Sequence, residues 1–196
     1  MRPGPLVVLL GISGVGKSFL VQKISERRSD LLCISAGTLL RDALKADPEQ
    51  LRTSNRNVIL SNQLLLADAV RRARSGRLQQ TVLLEAHSII DNDTELIEVP
   101  LEVIRALEIA GIILVEDHVT HIKRKRKTDT RFRPDRCLRE LKDQQQQSSD
   151  AATRYSIALN VPIQKVLSGD VENTLDFICR LEKSSRLEQS DSQSRS

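Results

Sequence analysis

The sequence predicts an α/β fold: a three-layer sandwich whose five-stranded parallel sheet carries helices on both faces. Three observations predict it. Five short, mostly apolar runs recur along the 196 residues, with segments of helical spacing between them. With three Phe, one Tyr and no Trp, the core has to be built from Leu, Ile, Val and Ala, which suits a sheet buried on both faces. The first apolar run also leads straight into a glycine-rich turn, GISGVGKS at 11–18, and then into a helical pattern.

The elements follow in order. PLVVLL (5–10), LLCIS (31–35), TVLLE (81–85), GIILVE (111–116) and VPIQKV (161–166) are the expected strands. Helical spacing covers Lys17–Arg28, Leu39–Ala46, Val58–Arg74, Pro100–Glu108, Val119–Lys127, Pro134–Leu159 and Val171–Lys183. Residues 36–76 are too many for one crossover helix and are expected to form an inserted helical subdomain. KRKRKTDTRFRPD, at 123–135, holds seven basic residues among thirteen and reads as a functional loop or a solvated charge run. Residues 1–184 are expected to form one domain, with a polar, low-complexity and disordered tail at 185–196. The glutamines at 144–147 read as an exposed helix face.

Composition narrows the function classes. The net charge of +4 fits basic residues gathered around phosphates in one pocket, and the aromatic scarcity argues against single-strand nucleic-acid stacking. Cys33, Cys137 and Cys179 are odd in number and widely spaced, which fits reduced thiols in a cytoplasmic protein rather than a disulfide scaffold or zinc site. No membrane segment or signal peptide is expected, since Leu6–Leu10 is too short for either. Oligomeric state is left open.

The turn at 11–18 carries chemistry. Gly11, four residues, then Gly16-Lys17-Ser18 is the P-loop pattern, and a strand before with a helix after is its confirming context. Glycines let successive N–H groups converge on a β-phosphate, and the helix that follows adds its dipole. Gly11, Gly14, Val15, Gly16, Lys17, Ser18 and Phe19 are the expected holders of ATP. Lys17 would bridge the β- and γ-phosphates, and the Ser18 hydroxyl would help hold Mg²⁺. Mg²⁺ needs further oxygen. Glu85 and Glu116 each end a strand on the loop's side of the sheet; Glu85 is the favoured partner, with a plain surface carboxylate as the alternative. ISAGTLLRDAL (34–44) ends the second strand and places Arg41 one turn into a helix, where an acceptor would face the nucleotide.

At these positions the chain resembles the nucleoside monophosphate kinases. Ser35-Ala36-Gly37-Thr38-Leu39-Leu40-Arg41 is similar to their Ser-Thr-Gly-Asp-x-x-Arg stretch. The loop, Glu85-Ala86-His87-Ser88 and Val99-Pro100 resemble the archaeal-type adenylate kinases. The likeness covers about residues 5–180. It implies an acceptor-binding insertion at 36–76 and a short lid at 123–135. Ser35, Gly37 and Arg41 would contact the acceptor, and Arg124, Arg126, Arg131 and Arg133 would supply guanidinium groups to the transferring phosphoryl. Gln63 would reach the acceptor base or face solvent. His87 would touch the acceptor phosphate or the metal's water shell, or bond a loop carbonyl. Ala36, Thr38 and Glu85 depart from the pattern, and Arg139 is the nearest counterpart of its later arginine. The implied activity is ATP- and Mg²⁺-dependent phosphoryl transfer to a nucleoside monophosphate. A kinase of another small molecule and a nucleotide-operated ATPase switch or assembly factor are the alternatives.

Overall fold

The computed structural model describes residues 3–129 and 133–193. In chain order they form β1 (Leu6–Leu10), α1 (Lys17–Arg27), β2 (Leu32–Ser35), α2 (Ala36–Leu44), α3 (Pro48–Thr53), α4 (Arg56–Leu64) and α5 (Leu66–Ala73). Then come β3 (Val82–Glu85), β4 (Ile89–Asp91), β5 (Leu96–Glu98), α6 (Leu101–Ala106), β6 (Gly111–Glu116), α7 (Val119–Thr128), α8 (Leu138–Leu159), β7 (Ile163–Leu167) and α9 (Val171–Gln193).

The main sheet has five strands in the order β2-β3-β1-β6-β7, all parallel. Alternation along β1 divides the core in two. Leu6, Val8 and Leu10 join a cluster with Leu66 and Val70 of α5, Val103 and Ile104 of α6, and Ala151, Ala152 and Tyr155 of α8. Val7 and Leu9 join the other, with Leu20 and Ile24 of α1, Ile122 of α7 and Ile178 of α9. Every residue of β1 is buried, so the strand reads as unbroken apolar sequence and pins the centre of both layers.

Three expectations change. Val58–Arg74 is not one helix: α4 ends at Leu64 and α5 starts at Leu66, with α3 before them. The apolar residues there do not share one stripe. Ile59 and the Leu66–Val70 set are buried, while Leu64 and Leu65 between them stay exposed. The expected disordered tail is helical up to Gln193, as α9 continues beyond residue 184. Residues 89–98, where no element was expected, form the antiparallel hairpin β4–β5. Its turn is tied by Asn92, whose Oδ1 accepts from the backbone N–H groups of Thr94 and Glu95.

Candidate functional site

Parallel pairing of β1 with β3 sets Leu9 opposite Glu85, so the chain leaves β1 for the glycine turn beside the carboxylate ending β3. That crevice, at the carboxyl ends of the strands, is where ligands of such sheets bind. Ser18, on the first turn of α1, donates its hydroxyl to Glu85 Oε1 at 2.7 Å. Glu116 stands apart, 3.9 Å from Lys165 Nζ, and lies outside the cavity lining. Lys17 is buried and donates to the carbonyls of Gly11 (2.8 Å) and Ile12 (3.1 Å).

Gly14 has φ 80°, and a Cβ there would sit 2.6 Å from Arg126 Cγ. Glycine is required twice over at that position, by conformation and by space. Arg126 lies across the turn, donating from Nε to the Ser13 carbonyl at 2.9 Å and from Nη2 to Gln144 Oε1 at 3.1 Å. Burial pushes its pKa down to about 10, opposed by Asp91 and reinforced by Arg133 and Arg136, so it stays charged at neutral pH. Arg133 donates from Nε to Ser13 Oγ at 2.9 Å and from Nη2 to Asp129. Its Nη1 is buried and finds no hydrogen-bond partner among the described residues.

His87 Nδ1 lies 3.0 Å from the Gly11 carbonyl and 3.3 Å from Lys17 Nζ. A carbonyl only accepts and an ammonium only donates, so Nδ1 cannot serve both. The shorter contact assigns the proton to Nδ1, which donates to Gly11 and leaves Lys17 as a close neighbour. Burial holds the imidazole well below its ordinary 6.5, with Lys17, Arg133 and Arg126 adding to the effect and the Gly11 contact opposing it. The ring is therefore neutral at neutral pH. Of the two roles open to it, the bond to a loop carbonyl is present, and the ring also lines the cavity.

A cavity of 680 Å³ runs from the turn to the helical insertion. Ile12, Ser13 and Ser18 line one end; Gly37, Arg41 and Gln63 line the other, with Glu85 and His87 among the lining groups as well. Arg41 is exposed and held loosely, its Nε 3.2 Å from the neighbouring Asp42. Ser35 also borders the cavity and caps α2, its Oγ accepting from Thr38 N–H at 3.4 Å.

Most of the expected site residues are thus brought together. Arg124 is not: it is exposed and absent from the cavity wall, whereas Arg126 is part of it. Two positions along α7 turn a side chain by about 200°, so the two arginines face opposite ways. Phe19 is also exposed and outside the cavity, with Lys23 Nζ 6.0 Å from its ring centre. Arg131 lies outside the described residues. His118 and His121 are exposed. Sequence reasoning missed Asp91, Gln144 and Arg136, which form a hydrogen-bonded group behind Arg126. Spacing held a signal for one of them: Gln144 falls three residues after Leu141 and four before Ser148, on the buried stripe of α8.

Three solved structures share this fold over nearly the whole chain. A gluconokinase from Sinorhizobium meliloti 1021 superposes with a TM-score of 0.56 at 15% identity, covering 96% of this chain and 99% of that one. A shikimate kinase from Bacteroides thetaiotaomicron gives 0.54 at 12%, covering 94% and 98%. Shikimate kinase from Acinetobacter baumannii in complex with shikimate gives 0.59 at 11%, covering 94% and 96%. Identities this low carry the fold alone. No curated protein matches the sequence. A family model described as an AAA domain matches residues 10–142, which take in the glycine turn, the insertion, the acidic strand end, the hairpin and the basic helix. The grouping is wider than the adenylate kinases that the motifs resemble, and with more than half of its length matched, the chain belongs to the AAA domain family.

Proposed function

We propose that the chain transfers the terminal phosphoryl group of ATP, with Mg²⁺, to a nucleoside monophosphate seated against the helical insertion. The observation that carries this reading is the single cavity joining Ser13 and Ser18 of the turn to Arg41 and Gln63 of the insertion. A site that only held and hydrolysed ATP has no use for the second end.

The residues fit the groups the reaction needs. Lys17, Arg126 and Arg133, whose Nη1 has no hydrogen-bond partner among the described residues, gather at the turn and suit a triphosphate. Ser18 and Glu85 offer two hard oxygen ligands 2.7 Å apart, a donor set that suits Mg²⁺. When bound there, Mg²⁺ would offset negative charge on the phosphates. Lys17 would exchange its loop carbonyls for phosphate oxygens. Arg41 would anchor the acceptor's phosphate, with the apolar wall at Leu40 and Ile59 and the amides of Asn62 and Gln63 left for its base. Arg126 and Arg133 would neutralise the equatorial oxygens as the acceptor oxygen bonds to the γ-phosphorus and the bond to ADP breaks. No side chain need act as nucleophile, because alignment and charge compensation supply the rate.

One observation favours a second reading. Asp47 and Glu49 also line the acceptor end, and carboxylates suit hydroxyls better than a second phosphate. A polyhydroxylated acid is then the acceptor, a reading supported by the gluconokinase and shikimate kinases that share the fold.

The test is a panel. Purified protein, ATP and Mg²⁺ are incubated with each nucleoside monophosphate and with a set of hydroxy acids, and products are separated by mass. A nucleoside diphosphate beyond the ADP expected from ATP supports the first reading, and a phosphorylated hydroxy acid supports the second. ADP release with no acceptor modified points instead to an ATPase switch.

A further inference from the structure

We infer that Asp91, on the hairpin β4–β5, is a positioning residue that fixes Arg126 over the glycine turn through Gln144. The inference rests on the reading of the turn as a triphosphate site.

The geometry is a chain of bonds with one permissible direction. Asp91 has 9% of its side chain exposed and is charged, so it only accepts. Burial would raise its pKa, but bonds from Arg136, Gln144 and the Asp93 N–H outweigh that and hold it below its ordinary 3.8. Gln144 Nε2 donates to Asp91 Oδ2 at 2.7 Å, which leaves Gln144 Oε1 to accept from Arg126 Nη2 at 3.1 Å. Arg126 only donates. Between a pure acceptor and a pure donor the intervening side chain must both give and receive, and an amide does. Gln144 is 3% exposed, so the amide faces little competition from water. Asp91, accepting from Nε2, and Arg126, donating to Oε1, favour the same orientation of the amide, and Asp91 anchors it from the far side.

The same carboxylate organises the hairpin's other side. Arg136 Nη2 donates to Asp91 Oδ1 at 2.8 Å and to the Asp93 carbonyl at 3.0 Å. Asp93 in turn pairs with Arg52 of α3, on the acceptor insertion. An unbroken series of polar contacts therefore runs from α3 to Ser13 in the turn. The apolar burial of the hairpin comes from Ile89 and Ile97.

The experiment uses the full chain and two ligands, ADP and the β,γ-imido analogue of ATP, whose affinities are compared by calorimetry. Arg126→Ala is expected to cut the preference for the triphosphate about tenfold. Gln144→Leu and Asp91→Asn are expected to cut it about three- to tenfold, with melting temperatures recorded to show that each variant is folded. The double variant Gln144→Leu/Arg126→Ala should match Arg126→Ala within about twofold, because the relay acts only through that arginine. Additive losses in the double variant would overturn the proposal, as would an unchanged preference in Asp91→Asn and Gln144→Leu or in Arg126→Ala itself. If Gln144→Leu does not fold, Asp91→Asn/Arg126→Ala closes the same cycle. A wild-type protein that phosphorylates no acceptor defeats the transferase reading, yet the triphosphate preference still decides on the relay.

Discussion

The hydroxyl of Ser18 and the carboxylate of Glu85 lie 2.7 Å apart although 67 residues separate them in sequence. Adjacent parallel strands bring them together: β1 delivers the turn and α1, and β3 delivers the acid. If this pair supports Mg²⁺, Glu85→Gln should lower kcat by about 10–100-fold and raise the Mg²⁺ concentration needed for half-maximal rate. Glu116→Gln should stay within about twofold of wild type, its carboxylate lying outside the cavity wall. Steady-state rates over a Mg²⁺ titration check both.

Arg41 borders the insertion end of the cavity, and among the described residues its hydrogen-bond partner is the adjacent Asp42. Arg41→Ala should raise KM for a phosphate-bearing acceptor by about 10–100-fold, the loss expected for a charge-assisted hydrogen bond. KM for ATP should change little. A hydroxy-acid acceptor bound elsewhere in the cavity would leave both constants near wild type.

The basic segment divides by direction rather than by charge. Arg133→Ala should cost about 100-fold or more in kcat, because its guanidinium sits against Ser13 with Nη1 turned inward. Arg124→Ala, exposed on the opposite face of α7, should stay within about twofold. Parallel assays of the two variants test the assignment.

Gly14→Ala meets two penalties. A left-handed conformation disfavours a side chain by about 1 kcal/mol or more, and the new Cβ would press on Arg126 at 2.6 Å. Calorimetry should show weaker ATP binding, and the melting temperature should also fall by a few degrees, because Ile12 and Val15 on either side of Gly14 belong to the core.

The pH response follows from Asp91. Its pKa is below the ordinary 3.8 in the fold, so the unfolded chain takes up its proton first as pH falls. The stabilisation is full above 3.8 and is lost as pH drops through the lower folded value. Melting temperatures between pH 5 and pH 3 should fall less steeply for Asp91→Asn than for wild type.

The sheet was legible because its three central strands, β1, β3 and β6, are buried apolar runs with clear stops, such as the Gly11 turn after β1 or Glu85 after β3. The turn itself was legible because its glycines, Lys17 and Ser18 are contiguous. What escaped was made by tertiary packing. The strands of the hairpin have three residues each, too short for a period to declare itself. Gln144 sits among four glutamines whose composition suggests a wet face, yet the helix turns it inward beside Leu141 and Ser148. Arg124 and Arg126 are equivalent in a count of charges, and only the rotation of α7 separates them. Asp91 carries no motif at all; its importance comes from what Arg136 and Gln144 bring to it.

The small hairpin has a consequence for protein engineering. Its turn clasps Arg52 and its first strand clasps Arg136 and Gln144, so residues 89–98 hold two distant stretches of chain in one frame. Grafting a relative's 36–76 insertion onto this scaffold to alter selectivity would therefore break half of that clasp. A chimera that imports the matching hairpin with the insertion should retain turnover where the simpler swap does not.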